Sequence, residues 1–190
     1  MKSILTGCLI IFLLSICLGE NAGTKCNPFQ LALSSPEGKK QKIILNNTSL
    51  AVVYVFLLPD CPACQDYSLT LNKLASKYKT IQFIGVMPGS YCTVEELKTF
   101  LKKYHISFPV YIDNNKALSK CLNALIVPEV FFISRENNLL YSGRIDDWMY
   151  SLSKKKPKAT THELADALES FVQHKPIKVK KTKAVGCFIE

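Results

Sequence analysis

The sequence predicts an α/β fold in which a mixed central β-sheet has helices on both faces. Through the middle of the chain, apolar segments of strand length alternate with segments whose apolar residues share one helical face. Such alternation is typical of sheets with parallel strands. The last two predicted strands, residues 130–134 and 139–143, are separated only by a short turn at residues 136–138 and so predict an antiparallel hairpin. A sheet with both arrangements is mixed.

The individual strands are predicted from apolar runs between turn residues. Residues 36–38 (Pro-Glu-Gly) and 46–47 (Asn-Asn) supply the first turns. The strands are predicted at residues 29–33, 43–45, 50–57, 81–87, 108–112, 130–134 and 139–143.

Helices are predicted in the remaining gaps. The first covers residues 64–79, where Tyr67, Leu71 and Leu74 fall on one face. Thr93 and Glu96 have the spacing of a capping box and begin the second helix. A shorter helix is predicted at residues 116–124. Thr160 and Glu163 repeat the capping-box spacing and begin the last helix.

The N-terminus has the organisation of a secretory signal peptide. Residues 1–19 contain one basic residue, an apolar run and small residues near the end. The run is shorter than the roughly 20 residues that span a bilayer. We therefore expect an exported protein, either periplasmic or anchored to the membrane by its N-terminus through an uncleaved leader or a lipid on Cys17. One domain is expected at residues 24–174, followed by a basic surface tail at residues 175–190.

The composition of the chain indicates which classes of partner and which cellular compartment to expect. The chain has 8 cysteines and a formal charge of +9. Cys8 and Cys17 lie in the leader, and an even set remains, which permits disulfides in an exported chain. The lysine runs near the C-terminus contain no interleaved aromatic residues, so nucleic-acid binding is not expected. The protein is expected to be a monomer.

The sequence Cys61-Pro62-Ala63-Cys64 predicts a redox centre. It follows a buried strand and opens a helix, so Cys61 is expected at the helix N-terminus, where Pro62 loses no hydrogen bond. Unpaired N–H groups and the helix dipole stabilise a thiolate there. Cys61 is thus the predicted nucleophile. Cys64, one turn further along, is the predicted resolving cysteine.

Two other uses of the motif are weaker. Zinc needs four ligands at short spacings, whereas His105, His162 and His174 are dispersed, so no metal site is predicted. A metal-carrying or interaction module remains an alternative. A purely structural Cys61–Cys64 disulfide would close only a small loop and contribute little stability.

The order of these segments resembles the redoxin branch of the thioredoxin-like superfamily, related to the alkyl hydroperoxide reductase/thiol-specific antioxidant proteins and to TlpA-like oxidoreductases. The resemblance rests on CPAC, "FIGVMPG", "FPVYID", "VPEVFFI", "YSGRIDD" and the terminal "AVGCFIE". It covers residues 29–189 and implies a thioredoxin-like fold. It further implies a cis-Pro128 which, with Val127, faces the cysteine pair and shapes a substrate groove.

The resemblance also raises a peroxidase alternative. Peroxiredoxins carry a threonine three residues before the peroxidatic cysteine. Here that position is Leu58 relative to Cys61, and Cys61 relative to Cys64, so neither supplies a hydroxyl. A thiol peroxidase is therefore the second hypothesis.

The remaining cysteines receive roles from the same resemblance. Because some relatives keep only the first cysteine of the pair, Cys187 is a candidate resolving partner. Cys92 and Cys121 are a candidate accessory disulfide or two buried thiols, while Cys26 has no assigned partner.

A charged group at the end of the last strand is expected to be structural. Arg144, Asp146 and Asp147 are a candidate salt-bridge cluster rather than part of the catalytic site.

These observations predict an exported thiol–disulfide oxidoreductase. Its expected substrates are protein thiols and disulfides, and an unidentified electron donor must recycle it. No bound cofactor is expected beyond the redox-active disulfide.

Overall fold

The computed structural model describes residues 26–152 and 154–189. The predicted leader, with Cys8 and Cys17, lies outside the described residues. Among the helices of the described part, none is both long enough and apolar enough to cross a bilayer.

The described chain alternates strands and helices as predicted. Its strands are β1 (Ala32–Ser34), β2 (Lys40–Lys42), β3 (Ala51–Phe56), β4 (Ile81–Pro88), β5 (Val110–Asp113), β6 (Ile126–Val127), β7 (Glu129–Ser134), β8 (Leu139–Gly143), β9 (Met149–Ser151), β10 (Lys154–Lys155) and β11 (Cys187–Phe188). Its helices are α1 (Pro62–Lys77), α2 (Val94–Lys103), α3 (Ala117–Leu122) and α4 (Glu163–Val172), preceded by a 3₁₀ turn at Pro28–Gln30.

The central sheet of the described residues is mixed and has the strand order β2-β1-β5-β4-β3-β7-β8. Strand β4 runs parallel to both β3 and β5, whereas β7 is antiparallel to β3 and β8. All six residues of β3 are buried. Because successive side chains of a strand point to opposite faces, this burial means that both faces are covered. The predicted fold class is confirmed.

The two faces of the sheet are packed by different aromatic residues. Phe132 on β7 makes an edge contact with Phe171 of α4, at 5.2 Å between ring centroids. Its neighbour Phe131 points to the other face and contacts Phe56 of β3. The Phe56–Phe131 pair packs β3 against β7, and the Phe132–Phe171 pair packs β7 against α4. Together they hold the C-terminal end of β3 in the core.

The first two strands differ from the prediction at residues 29–33 and 43–45. Asn27 accepts a hydrogen bond from the Phe29 N–H at 3.0 Å, and this cap begins the 3₁₀ turn where a strand was expected. Strand β2 is the polar segment Lys40–Lys42 at the sheet edge. Edge strands tolerate charged residues, and so a search for apolar runs misses them.

The two predicted capping boxes have different outcomes. The first is confirmed at α2, where Thr93 accepts from the Glu96 N–H and Glu96 accepts from the Thr93 N–H. The second is not formed, because α4 begins after His162 and the N–H groups of Thr160 and Thr161 donate to Asp147 instead.

The C-terminal segment returns to the body of the protein, contrary to the expectation of a surface tail. The N–H of Ser142 on β8 donates to Lys180, and the Thr182 N–H donates to Ser142 at 2.9 Å. Further on, β11 pairs antiparallel with β6. The sequence pattern could not reveal this return, because β11 is only two residues long and its partner is distant in the chain.

Candidate functional site

The fold places Cys61 where the sequence predicts it. The chain leaves the C-terminal end of β3, turns, and enters α1 with Cys61 as the N-cap and Pro62 at the first helical position. The Cys61 carbonyl accepts the first helical hydrogen bond from Gln65 at 3.1 Å. Proline fits this position because the first N–H groups of a helix have no partner within it.

Cys61 forms a disulfide with Cys187, its partner 126 residues further along the chain. Their Cα atoms are 6.3 Å apart, within the usual range for a disulfide. The sequence predicted Cys64 as the first partner and Cys187 only as a candidate. The pairing of β11 with β6 accounts for the difference, because it holds Cys187 opposite Val127.

Cys64 is a buried free thiol on the first turn of α1. Its Sγ accepts the Leu58 N–H at 3.4 Å. The pKa of Cys64 is raised to about 12, mainly by burial; the Leu58 N–H lowers it and the charge of Asp60 adds to the rise. At neutral pH this sulfur is therefore a protonated, weakly nucleophilic thiol.

The peptide bond between Val127 and Pro128 is cis, as the resemblance implied. It lies beside the disulfide, and the Cys61 Sγ is 3.4 Å from the Val127 carbonyl oxygen. The last residues of the chain run along the segment just before this bond. Their backbone pairs with β6, and the Ile189 N–H donates to the Leu125 carbonyl at 2.9 Å.

The disulfide faces a shallow pocket of about 220 Å³. Its lining comprises Leu58, Asp60, Cys61, Tyr91, Cys187 and Phe188. Cys61 is only 2% exposed, whereas Cys187 is half-buried. Access from solvent to this disulfide is therefore greater on the Cys187 side.

Asp60 is exposed and lies beside this pocket. The thiol of Cys92 donates to its carboxylate at 3.7 Å. Burial and the Asp60 charge together raise the pKa of Cys92. Both effects disfavour the Cys92 thiolate.

The accessory disulfide joins Cys121 to Cys26, and the predicted Cys92–Cys121 pair is wrong. Helix α3 packs against the turn at Pro28–Gln30, which brings the Cα atoms of Cys26 and Cys121 to 5.6 Å. Cys92 remains a free, half-buried thiol. The even number of cysteines was the one sequence signal that Cys26 has a partner.

The charged residues after β8 make separate contacts and do not bridge one another. Arg144 pairs with Glu163, and Asp147 pairs with Lys156. Asp146 accepts a hydrogen bond from the Tyr67 hydroxyl at 2.7 Å. These contacts attach the segment after β8 to α1 and α4, a structural arrangement.

No cluster of three or more His, Cys, Asp or Glu residues in the described part of the chain is arranged to hold a metal ion.

Comparisons with known proteins agree with this architecture. The AhpC/TSA family model matches residues 22–142. A hypothetical protein from Sinorhizobium meliloti superposes with a TM-score of 0.73 at 21% identity, covering 89% of this chain and 95% of its own. A search of curated proteins gave no match.

Two further solved structures share the fold, and one of them is described as a disulfide oxidoreductase. One is a secreted Mycobacterium tuberculosis disulfide oxidoreductase homologous to E. coli DsbE, with a TM-score of 0.56 at 17% identity, covering 75% of this chain and 97% of its own. The other is StoA from Bacillus subtilis, with a TM-score of 0.53 at 16% identity, covering 77% and 98%. At these identities the likeness shows the fold. By its matching family model and its thioredoxin-like architecture, the chain belongs to the AhpC/TSA family.

Proposed function

We propose that the protein is a thiol–disulfide oxidoreductase that exchanges disulfides with protein substrates through Cys61. The observation that carries the proposal is the Cys61–Cys187 disulfide, which lies at the N-terminus of α1 and beside the carbonyl that precedes Pro128. A helix N-terminus stabilises the thiolate that leaves when such a bond is cleaved. Cys187, the present partner of Cys61, lies in the extended strand β11. A cysteine in another extended polypeptide would fit the same place, so protein disulfides are the proposed substrates.

In the reducing direction the chemistry has two exchange steps. The Cys61 thiolate attacks one sulfur of a substrate disulfide, forms a mixed disulfide and releases the other substrate sulfur as a thiolate. The Cys187 thiolate then attacks the Cys61 sulfur and releases the second substrate thiolate. Two electrons pass to the substrate, and the Cys61–Cys187 disulfide remains. A dithiol donor must reduce it before the next cycle.

Cys187 is the better supported resolving residue, although the sequence first suggested Cys64. Cys187 already occupies bonding geometry with Cys61, whereas Cys64 is buried and largely protonated at neutral pH. Exchange between Cys61 and Cys64 is therefore expected to be the slower route. It would become visible only when Cys187 is removed.

The same proposal includes export to an oxidising compartment. The leader-like sequence at residues 1–19 supports it, and so do the disulfides Cys26–Cys121 and Cys61–Cys187, because such bonds persist outside the reducing cytosol. No cofactor besides the cysteine pair is needed for the exchange.

A redox titration tests the proposal. The protein is equilibrated in glutathione buffers, quenched with an alkylating reagent and mapped by mass spectrometry. We expect Cys61 and Cys187 to titrate together in the wild-type chain and in Cys64→Ser, with Cys92→Ser as the matched control. Turnover of a disulfide-linked protein substrate should fall to the uncatalysed rate in Cys61→Ser.

The peroxidase hypothesis is tested with the same variants. Hydroperoxide consumption is followed with a dithiol reductant in excess. If the wild-type chain consumes hydroperoxide rapidly in a Cys61-dependent manner but does not accelerate disulfide exchange, the oxidoreductase assignment is wrong.

A further inference from the structure

The last residues of the chain are held at the functional site in the manner of a bound peptide. Residues 184–189 lie next to β6, with Cys187 opposite Val127 and Phe188 opposite Ile126. The Ile189 N–H continues this pairing to Leu125. Main-chain pairing of this kind is how an extended peptide adds to the edge of a sheet.

The covalent bond and the strand pairing act at the same residue. Cys187 is joined to Cys61 by its side chain while its backbone is paired with Val127, the residue before Pro128. A mixed disulfide between Cys61 and a substrate cysteine would have the same sulfur–sulfur bond. The internal segment therefore shows how a second polypeptide can fit there.

The residue before Cys187 has no space for a side chain. Gly186 is buried, and a Cβ atom at this position would overlap the Val127 carbonyl and lie 3.1 Å from the Ile126 Cγ2. The obstruction is backbone of β6, whose place is fixed by the fold. A peptide that binds in this register therefore needs glycine immediately before its cysteine.

The residue after Cys187 borders an open groove whose lining is partly apolar. Phe188 is 75% exposed and borders a groove that also contains Leu125, Leu139 and Phe131. Leu125 and Leu139 are themselves exposed. An apolar side chain at this position of a partner would cover surface that the internal segment leaves in water.

We propose that residues 184–189 occupy the substrate groove as an internal substrate, and that the partner is an extended polypeptide with Gly-Cys followed by an apolar residue. The proposal rests on the function proposed above and specifies its substrate. The partner strand replaces residues 184–189 along β6. Val127 and Ile126 are the residues that determine specificity, because they exclude a side chain before the cysteine.

Synthetic peptides test the proposal directly. The peptide of residues 183–189 is prepared with its cysteine as a mixed disulfide with thionitrobenzoate, together with Gly186→Ala, Phe188→Ser and Lys183→Ala versions. Lys183 borders the same groove but is exposed and forms no strand pair with β6, so its alanine peptide is the control for a substitution outside the Gly-Cys-apolar positions. The protein is the full chain with Cys64→Ser and Cys187→Ser, in which neither candidate resolving cysteine is present.

The measured step is one balanced exchange. The Cys61 thiolate attacks the peptide sulfur, the Cys61–peptide disulfide forms, and thionitrobenzoate leaves as a coloured thiolate. Its release is timed by absorbance, and the modified cysteine is identified by mass spectrometry. Reaction of each peptide with glutathione corrects for intrinsic reactivity, and the further Cys61→Ser variant gives the background from all other cysteines of the chain, Cys92 among them.

We expect the native-sequence peptide to react at least tenfold faster than the Gly186→Ala peptide and within twofold of the Lys183→Ala peptide. The Phe188→Ser peptide should be slower than the native sequence by a smaller factor. Equal rates for the glycine and alanine peptides, both at Cys61, would overturn the groove proposal and leave the proposed function standing. Absence of any reaction at Cys61 would overturn both.

A second measurement covers the case in which the double variant does not fold. In that case the single variant Cys187→Ser is mixed with each peptide, and the initial thionitrobenzoate release is compared after subtraction of the release by Cys61→Ser/Cys187→Ser. The internal segment competes equally with every peptide, so the same ratio of rates is expected. An unchanged rate with the Gly186→Ala peptide would again exclude this register.

Discussion

Cys61 and Cys64 are three residues apart and each is 2% exposed, yet only Cys61 lines the pocket. Cys61 is the N-cap of α1, and its disulfide with Cys187 borders the pocket. Cys64 points into the core, where burial raises its pKa to about 12. The spacing of the motif therefore does not by itself make the two residues a redox pair.

Alkylation at mildly alkaline pH should distinguish the free thiols. At pH 8 the Cys64 thiolate is scarce because its pKa is about 12, and the sulfur is also buried. Iodoacetamide should therefore modify Cys92 in the native protein and leave Cys64 unmodified, as measured by peptide mass mapping. Both thiols should react in urea without reductant. Rapid modification of native Cys64 would contradict the buried environment.

Asp147 should contribute to stability in a pH-dependent manner. Hydrogen bonds from Lys156, Thr160 and Thr161 hold its pKa well below the usual range. Because the folded pKa lies below the unfolded value of about 3.9, the contribution is present above that pH and is lost as the pH falls through the folded pKa. Asp147→Asn should therefore lower Tm at pH 7, with a difference that shrinks below about pH 4.

Thermal unfolding across that pH range is the measurement for Asp147. Asp66→Asn is the matched control, because the Asp66 carboxylate forms a partly exposed ion pair with Lys155. Exposed pairs of this kind contribute little, so its effect on Tm should be much smaller. Equal effects of the two substitutions at pH 7 would contradict the role assigned to Asp147.

At the scale of elements, short segments take their positions from distant partners. Helix α3 is only six residues long, and the Cys26–Cys121 bond fixes it against the start of the described chain. Strand β11 has two residues and depends on β6 and on Cys61. Two-residue strands have little stability of their own, so covalent links matter most at these places.

Removal of the Cys26–Cys121 disulfide should destabilise the fold without changing the pocket at Cys61. The bond joins residues 95 apart, and loss of a native disulfide typically costs roughly 2–5 kcal/mol. The Cys26→Ala/Cys121→Ala chain should therefore unfold at lower denaturant concentration under non-reducing conditions. Cys92→Ala, which removes a free thiol, is the control. Identical midpoints for both variants would exclude a stabilising role for the disulfide.

At the scale of the whole molecule, the C-terminal segment closes the structure by two separate attachments. The first is made by Thr182, whose hydroxyl contacts Tyr141 and accepts from the Arg144 N–H. The second is β11 with its disulfide. The first lies on the side of β8 and the second at the functional site, so we expect the second to open while the first remains.

Hydrogen exchange should show this independence. In Cys187→Ser the amide of Ile189 should lose protection, because only short strand pairing remains to hold it. The amide of Thr182, which donates to Ser142, should keep its protection. Exchange measured by mass spectrometry on the wild-type chain and on Cys92→Ser provides the reference. Loss of protection at both amides together would mean that the segment opens as one unit.

The candidate site was predictable as far as it is local in sequence. Cys61 at the start of a helix, and Pro128 before a strand, follow from patterns within a few residues. Strands β3 and β8 were predicted within a residue or two for the same reason. The polar edge strand β2 and the two-residue β11 escaped prediction because their formation depends on a neighbouring strand and not on apolar periodicity.

The sequence by itself determined the alternation of the central strands and helices and the helix that Cys61 opens, because each depends on contacts along the chain. Tertiary structure alone decided that Cys61 bonds with Cys187, that Cys26 bonds with Cys121 and that Cys64 is buried. Disulfide partners are selected by which Cα atoms come within about 7 Å after folding, and spacing in the sequence does not contain that distance.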